Sequence, residues 1–293
     1  MDIVFQRKAH IVLGIGLLLV LLTGCATTQR TAPGTERADS AAYVRQGAAL
    51  FNKGEFEQAV RFFTAAIDQN RENGAVHFNR GTALYRLGKY AQAVSDFNTA
   101  EELGLTTRDL YTNRASAYAS LEEYDRALED IERVLALDPD DARAYFNRGL
   151  VYFGMARYDR AVADYTRSLE INTLNSWGYN NRGVALLKTG APERAVPDFS
   201  KAIRIDTSEP EFFYNRGIAY EMKDQYEEAV ADYSQAVTLD PDFAAAFYNR
   251  GILRLRVGQK ELGCMDLKTA CDLGLCDQYE MLKQTEECGT NVF

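Results

Sequence analysis

A four-residue phrase returns along this chain at a fixed interval. It reads FNRG from Phe78, TNRA from Thr112, FNRG from Phe146, NNRG from Asn180, and YNRG from Tyr214 and from Tyr248, each step being 34 residues. A period in this range constrains the fold more than composition does, because each copy must be one supersecondary unit that buries its apolar face on its neighbours. Seven copies fit end to end without a gap, over residues 40–73, 74–107, 108–141, 142–175, 176–209, 210–243 and 244–277.

Inside each copy the spacing is helical. A ring stands near the start (Tyr43, His77, Tyr111, Tyr145, Tyr179, Phe213, Phe247), and a small residue follows four positions later (Gly47, Gly81, Ala115, Gly149, Gly183, Gly217, Gly251). Further on, Ala59, Ala93, Ala127, Ala161, Ala195, Ala229 and Gly263 each precede by four a bulky residue: Phe63, Phe97, Ile131, Tyr165, Phe199, Tyr233 and Leu267. Pairs four apart share a helix face. Between copies, LDPD at residues 137–140 and 239–242 places a proline where a second helix must stop.

This pattern resembles the tetratricopeptide repeat over the whole folded part of the chain. The resemblance implies an all-α fold: a right-handed superhelical solenoid of seven helical hairpins over residues 40–277, followed by a C-terminal capping helix and tail in 278–293. The chain also departs from the family pattern. Arg replaces the usual Leu before the small residue in six copies, the last copy has Lys260 for the usual Tyr and Gly263 for Ala, and Pro192 and Pro197 enter the fifth. A proline inside a helix removes a hydrogen bond and clashes with the preceding turn, so a kink is expected at Pro197.

Counting assigns the Arg of the phrase. Sixteen residues after Arg80, Arg114, Arg148, Arg182, Arg216 and Arg250 stand Asp96, Asp130, Asp164, Asp198, Asp232 and Asp266, and the first copy lacks both partners, with Gln46 and Phe62 in their places. In an antiparallel hairpin turning near Gly54, Gly88, Gly190 and Gly258, residues equidistant from the turn face each other. Joining each Asp to the next copy's Arg instead would leave Arg80 facing Phe62 and Asp266 alone. The spacing therefore predicts ion pairs within each copy, oriented by the planar guanidinium. A basic stripe for an acidic ligand is the alternative.

The first 24 residues read as an export signal, with Arg7 and Lys8 ahead of a short apolar core at residues 11–22. That core is short of the ~20 apolar residues that a membrane span requires. It ends in Leu22-Thr23-Gly24-Cys25, which resembles a bacterial lipobox. The resemblance implies that Cys25 becomes the lipidated first residue of a mature lipoprotein; an ordinary cleaved signal with a stray Cys is the other reading. Ala26 rather than Asp after the Cys implies the outer membrane, with the chain facing the periplasm. Residues 25–39 are rich in Thr, with Pro and Gly and no apolar period, and read as a flexible tether.

Composition excludes several classes of function. The chain carries 33 basic and 42 acidic residues, and losing Asp2, Arg7 and Lys8 with the leader leaves about −10, a balance that disfavours nucleic acid. No GxGxxG, phosphate loop or HExxH pattern is present. The two histidines are His10, in the leader, and His77, at a position where other copies carry a packed ring. No catalytic constellation, metal site or cofactor is expected.

Beyond Cys25, the cysteines are Cys264, Cys271, Cys276 and Cys288. An even set in an exported chain suggests two disulfides. A bond between Cys264 and Cys271 is too long, since two turns of one helix span roughly 10 Å. If the last helix folds back after about residue 273, Cys271 meets Cys276 and Cys264 meets Cys288. A four-Cys zinc site is the alternative.

The family resemblance implies a scaffold whose first helices line a concave groove for a partner's extended segment or helix. In the cell envelope such lipoproteins assist secretin or pilus assembly, or gather cell-wall enzymes. The Asn of the phrase lies about 100° round the helix from the Arg, and in the family that direction is the groove. Asn147, Asn181, Asn215 and Asn249 could then hydrogen-bond a protein or peptide backbone. Leu150, Val184, Ile218 and Ile252 would form an apolar stripe three residues on, with Trp177, Tyr214 and Tyr248 as anchors. The alternative keeps the stripe and the Asn row inside the scaffold, packing neighbouring first helices.

Overall fold

The structure, a computed structural model, describes residues 35–284 and residue 288. The leader, Cys25 and residues 25–34 of the expected tether lie outside the described residues, as do 285–287 and 289–293 of the expected cap and tail. Among the described residues there are fifteen helices and no strand. They are α1 (Thr35–Asn52), α2 (Phe56–Gln69), α3 (Gly74–Arg86), α4 (Tyr90–Glu102), α5 (Arg108–Ser120), α6 (Tyr124–Leu137), α7 (Ala142–Gly154) and α8 (Tyr158–Ile171). There follow α9 (Ser176–Lys188), α10 (Pro192–Ile205), α11 (Pro210–Glu221), α12 (Tyr226–Leu239), α13 (Ala244–Arg256), α14 (Lys260–Asp272) and α15 (Asp277–Gln284).

The described residues fall into two compact units, 35–155 and 156–288, with α1 to α7 in the first and α8 to α15 in the second. In the first, α1 packs on α2, α3 on α4 and α5 on α6; in the second, α9 packs on α10, α11 on α12 and α13 on α14. Phe51, Phe63 and Val76 form one cluster of the first unit, and Phe78, Phe97, Leu110 and Ile131 belong to the other. The second unit is cored by Leu186, Phe199, Tyr233 and Leu253, with a further cluster of Cys264, Leu267, Leu282 and Cys288 near its end.

Within each unit, hairpins close on a small residue against a bulky one. A Cβ added at Gly47, Gly81, Gly183 or Gly217 would lie within 2.8 Å of the ring of Phe63, Phe97, Phe199 or Tyr233 respectively. Those four rings are fully buried, and each contributes about 1.5–3 kcal/mol by leaving water. The third repeat has Ala115 where the others have glycine, and it carries the slimmer Ile131 in place of a ring; both lie in one cluster. Volume is thus balanced within the pair.

The turn between first and second helix carries a left-handed residue at the same place in every repeat: Gly54, Gly88, Glu122, Ala156, Gly190, Asp224 and Gly258 all have positive φ, between 56° and 82°. Glycine adopts this conformation without penalty and L-residues do not, so three repeats hold mild strain there. First helices are capped by side chains where the sequence allows: Thr107 accepts from the Leu110 N–H, Asp141 from Arg143 and Ala144, and Asn175 from Gly178.

One boundary differs from expectation. Helix α1 begins at Thr35, so the last five residues of the expected tether are helical; Glu36, Arg37 and Ala38 are good helix formers and extend the first helix backwards. Pro197 lies within α10, which continues from Pro192 to Ile205. Pro197 and Glu193, whose carbonyl loses its usual donor, both face solvent, so water can replace the missing bond.

The glycine–ring pairing predicts non-additive substitutions. Gly183→Ala should cost about 2 kcal/mol by overpacking. Adding Phe199→Ile should recover at least about 1 kcal/mol relative to the sum of the two single changes. Urea unfolding of the four-member cycle measures this, and additive costs would show that the contact does not set the spacing of α9 and α10.

Candidate functional site

In five of the six phrases the Arg projects from a first helix onto the second helix of its own repeat. Arg80, Arg114, Arg182, Arg216 and Arg250 each donate from Nε to one oxygen and from Nη2 to the other oxygen of Asp96, Asp130, Asp198, Asp232 and Asp266, at 2.7–2.8 Å. Arg148 lies in the first compact unit and Asp164 in the second. Bidentate geometry fixes both distance and orientation between the two helices. The Asp side chains are buried and the Arg side chains nearly so. Donation to the Asp carboxylate raises the pKa of Arg80, Arg182 and Arg216 above the ordinary arginine value, against the opposing effect of burial.

A third bond was not anticipated from the sequence. Nη1 of the same Arg reaches back to the preceding repeat's second helix, donating to Thr64, Asn98, Thr166, Ser200 and Ser234 at 2.9–3.2 Å. Thr64, Thr166 and Ser234 turn their own hydroxyl protons to the carbonyl four residues earlier, which leaves the oxygen to accept. The signal was present as small polar residues sixteen positions before each of these Arg. His77 is buried, with Nδ1 3.4 Å from Asp96 and Nε2 3.2 Å from the Arg71 carbonyl, so its ring joins the second repeat's network.

The Asn row sits between first helices. Asn113 Nδ2 donates to Thr82 Oγ1 at 3.2 Å, Asn215 Nδ2 to Asn180 Oδ1 at 2.9 Å, and Asn249 Nδ2 to the Tyr214 hydroxyl at 3.2 Å. Asn147, expected in the groove, is 3 % exposed and its Oδ1 is buried without a partner. It cannot meet a ligand as it stands, because its first-helix face is turned into the packing. Tyr214 is likewise corrected from anchor to core: its ring packs on Tyr233 and Phe243, and burial pushes its hydroxyl up to about 12. Ile218 is buried in the same cluster.

What stays half-exposed lies on α9, α11 and α13: Trp177, Asn181, Val184, Asn215, Tyr248, Asn249 and Ile252. Trp177 stands edge-on to Phe212 at 5.0 Å, Val184 packs on the second unit's core, and Tyr248 and Ile252 pack on the C-terminal cluster. Asn181 Oδ1 accepts from Asn180. Among the described residues its amide N–H₂ donates to nothing, while the Oδ1 atoms of Asn215 and Asn249 accept nothing. Leu150, also half-buried, belongs to the first compact unit, whereas Val184, Ile218 and Ile252 belong to the second.

At the C-terminal end, disulfides join Cys264 to Cys288 and Cys271 to Cys276. With the sulfurs paired, none of the four is left as a thiolate for zinc. Among the described residues no group of three or more His, Cys, Asp or Glu is placed to hold a metal ion, and no helix is long and apolar enough to cross a membrane.

Family models of the tetratricopeptide repeat match residues 44–104, 114–173 and 152–210, and a further TPR repeat model matches 222–258. The chain belongs to the tetratricopeptide repeat family. Its fold is that of a tetratricopeptide repeat protein from Parabacteroides merdae, at 24% identity and a TM-score of 0.64 over 86% of this chain and 98% of that one. It is also similar to YrrB, described as a TPR protein with an unusual peptide-binding site (23% identity, TM-score 0.51, 64% of this chain, 97% of that one). MamA from Desulfovibrio magneticus RS-1 shares 21% identity, at a TM-score of 0.55 over 60% of this chain and 98% of that one. At these identities the likeness carries the fold alone. No curated protein matches the sequence.

The Arg182–Asp198 pair predicts strong coupling. Arg182→Met and Asp198→Ala should each destabilise by about 2–4 kcal/mol. The double variant should fall short of their sum by about 1–3 kcal/mol. Strict additivity in denaturant unfolding would sever the link between the two helices.

Proposed function

We propose that this chain is a non-enzymatic scaffold that takes a segment of a partner protein along the first helices of its fifth to seventh repeats. The observation that carries the reading is the residue of unused hydrogen-bonding capacity on that face. The Asn181 amide offers a donor and the Asn215 and Asn249 carbonyl oxygens offer acceptors, beside the half-exposed surfaces of Trp177, Val184 and Ile252. A peptide backbone presents both acceptors and donors, and its alternate side chains supply apolar area, so it matches both halves of such a surface. The peptide-binding description of YrrB, a structural neighbour, supports the class of ligand. The lipobox-like Leu22-Thr23-Gly24-Cys25 supports anchoring by lipid at the outer membrane, which would place the groove among envelope complexes under assembly or recruitment.

Trp177→Ala combined with Asn181→Ala tests the groove, with the exposed Arg194→Ala on α10 as control. Partner capture from crosslinked envelopes should fall at least about tenfold, as expected for loss of an interface anchor, while thermal unfolding of the array stays within a few degrees. Unchanged capture, or equal loss from the α10 variant, would return this face to the scaffold. Anchoring is tested separately by Cys25→Ser: the chain should leave the membrane pellet for the soluble envelope fraction, and a pellet signal that does not change would remove the lipid reading.

A further inference from the structure

The four C-terminal cysteines occupy two environments. Cys264 and Cys288 are each 2 % exposed and share an apolar cluster with Leu267 and Leu282. Cys271 and Cys276 are half-buried and bracket the turn from α14 to α15. Exchange of a disulfide requires a thiolate to reach one of its sulfurs, so the turn bond is open to attack and the inner bond is shielded.

Helix α15 is poorly equipped to hold its own position. It has eight residues, with Leu282 as its buried side chain, and a helix so short does not persist in water without outside support. The support visible here is the seat of Leu282, the inner bond to Cys264, and the closure of the turn by Cys271–Cys276, where the Glu280 N–H also donates to the Cys276 carbonyl at 3.0 Å.

We propose that Cys271–Cys276 is a thiol-exchange site whose reduction loosens α15, while Cys264–Cys288 is the buried anchor that keeps the segment attached. The co-reactant is a dithiol, either a small molecule or a dithiol protein. One of its thiolates attacks a sulfur of the pair and forms a mixed disulfide, and the other cysteine departs as thiolate and takes a proton. The second thiol of the reductant then displaces the first cysteine. Two electrons enter the chain, both cysteines end as thiols, and the reductant leaves as its own disulfide. The cap thus has two states under one permanent tether, independent of what the groove binds.

The test uses the full mature chain in native buffer with graded dithiothreitol, alkylation of new thiols, and peptide mapping of each cysteine. Cys271 and Cys276 should be labelled at least about tenfold faster than Cys264 and Cys288. Trypsin cleavage after the exposed Lys283 should rise by a similar factor, since the lost cross-link constrained a short loop. Simultaneous labelling of all four, earlier labelling of the inner pair, or no labelling short of global unfolding would overturn the proposal. So would labelling of the turn pair with no change at Lys283. The Cys271→Ser, Cys276→Ser double variant should show the faster Lys283 cleavage without reductant, and cleavage at the native rate in that variant also counts against it.

Discussion

The bidentate bond between a first-helix Arg and a second-helix Asp is the constraint on which the array depends. Apolar packing supplies most of the stability, but it tolerates sliding; two parallel N–H···O bonds in a plane do not. The guanidinium has a further nitrogen, and in five repeats it reaches the previous repeat's second helix. One side chain therefore sets the spacing within a hairpin and between consecutive hairpins. The ring three residues earlier lies beneath it, as with Tyr179 below Arg182 at 5.6 Å and Phe247 below Arg250 at 5.3 Å, so little of the guanidinium is left to water. Net stabilisation from such a buried pair is small, and the penalty for breaking it is large; that asymmetry suits a device that specifies register.

The first and seventh repeats vary the same scheme. In the first repeat Gln46 and Phe62 stand at the Arg and Asp positions, and there Tyr43 and Phe62 pack ring to ring at 6.3 Å in place of the charged pair. The seventh repeat varies the scheme in another way. Its Asp266 collects Arg254 as well as Arg250. Where earlier repeats present Val60, Val94, Leu128, Val162, Val196 and Val230, it has Cys264, bonded to Cys288. A covalent bond thus stands where the earlier repeats carry an aliphatic side chain, and Leu282 of α15 packs beside it.

Much of this was legible in the sequence because it repeats. A spacing that recurs in every copy must be met by the same geometry in every copy, so the helical hairpins and the sixteen-residue Arg–Asp offset could be read by counting. The backward bond to Thr64 or Ser200 was missed although it recurs with equal regularity, because small hydroxyl residues on a helix give no sign of having a partner. The left-handed turn was legible at Gly54, Gly88, Gly190 and Gly258 and hidden at Glu122, Ala156 and Asp224, where position alone imposes a conformation that the residue type does not announce. The start of α1 at Thr35 was obscured for a different reason: Glu36, Arg37 and Ala38 favour a helix by propensity but carry no apolar period in the sequence.

The Asn row shows why residue identity alone does not separate scaffold from site. An Asn amide has donors on one atom and an acceptor on the other, so a single bond to the neighbouring helix leaves half of its capacity unspent. In the first compact unit that remainder is sealed, with Asn79, Asn113 and Asn147 no more than 5 % exposed, and the residues three positions after the first two are Thr82 and Ser116. In the second unit Asn181, Asn215 and Asn249 remain half-exposed, and the residues three positions on are Val184, Ile218 and Ile252. The same phrase is therefore consumed by packing in one unit and left with open hydrogen-bonding atoms beside apolar surface in the other. Since period and spacing are identical in both, the difference arises from how far each face is covered, which is a property of the folded chain.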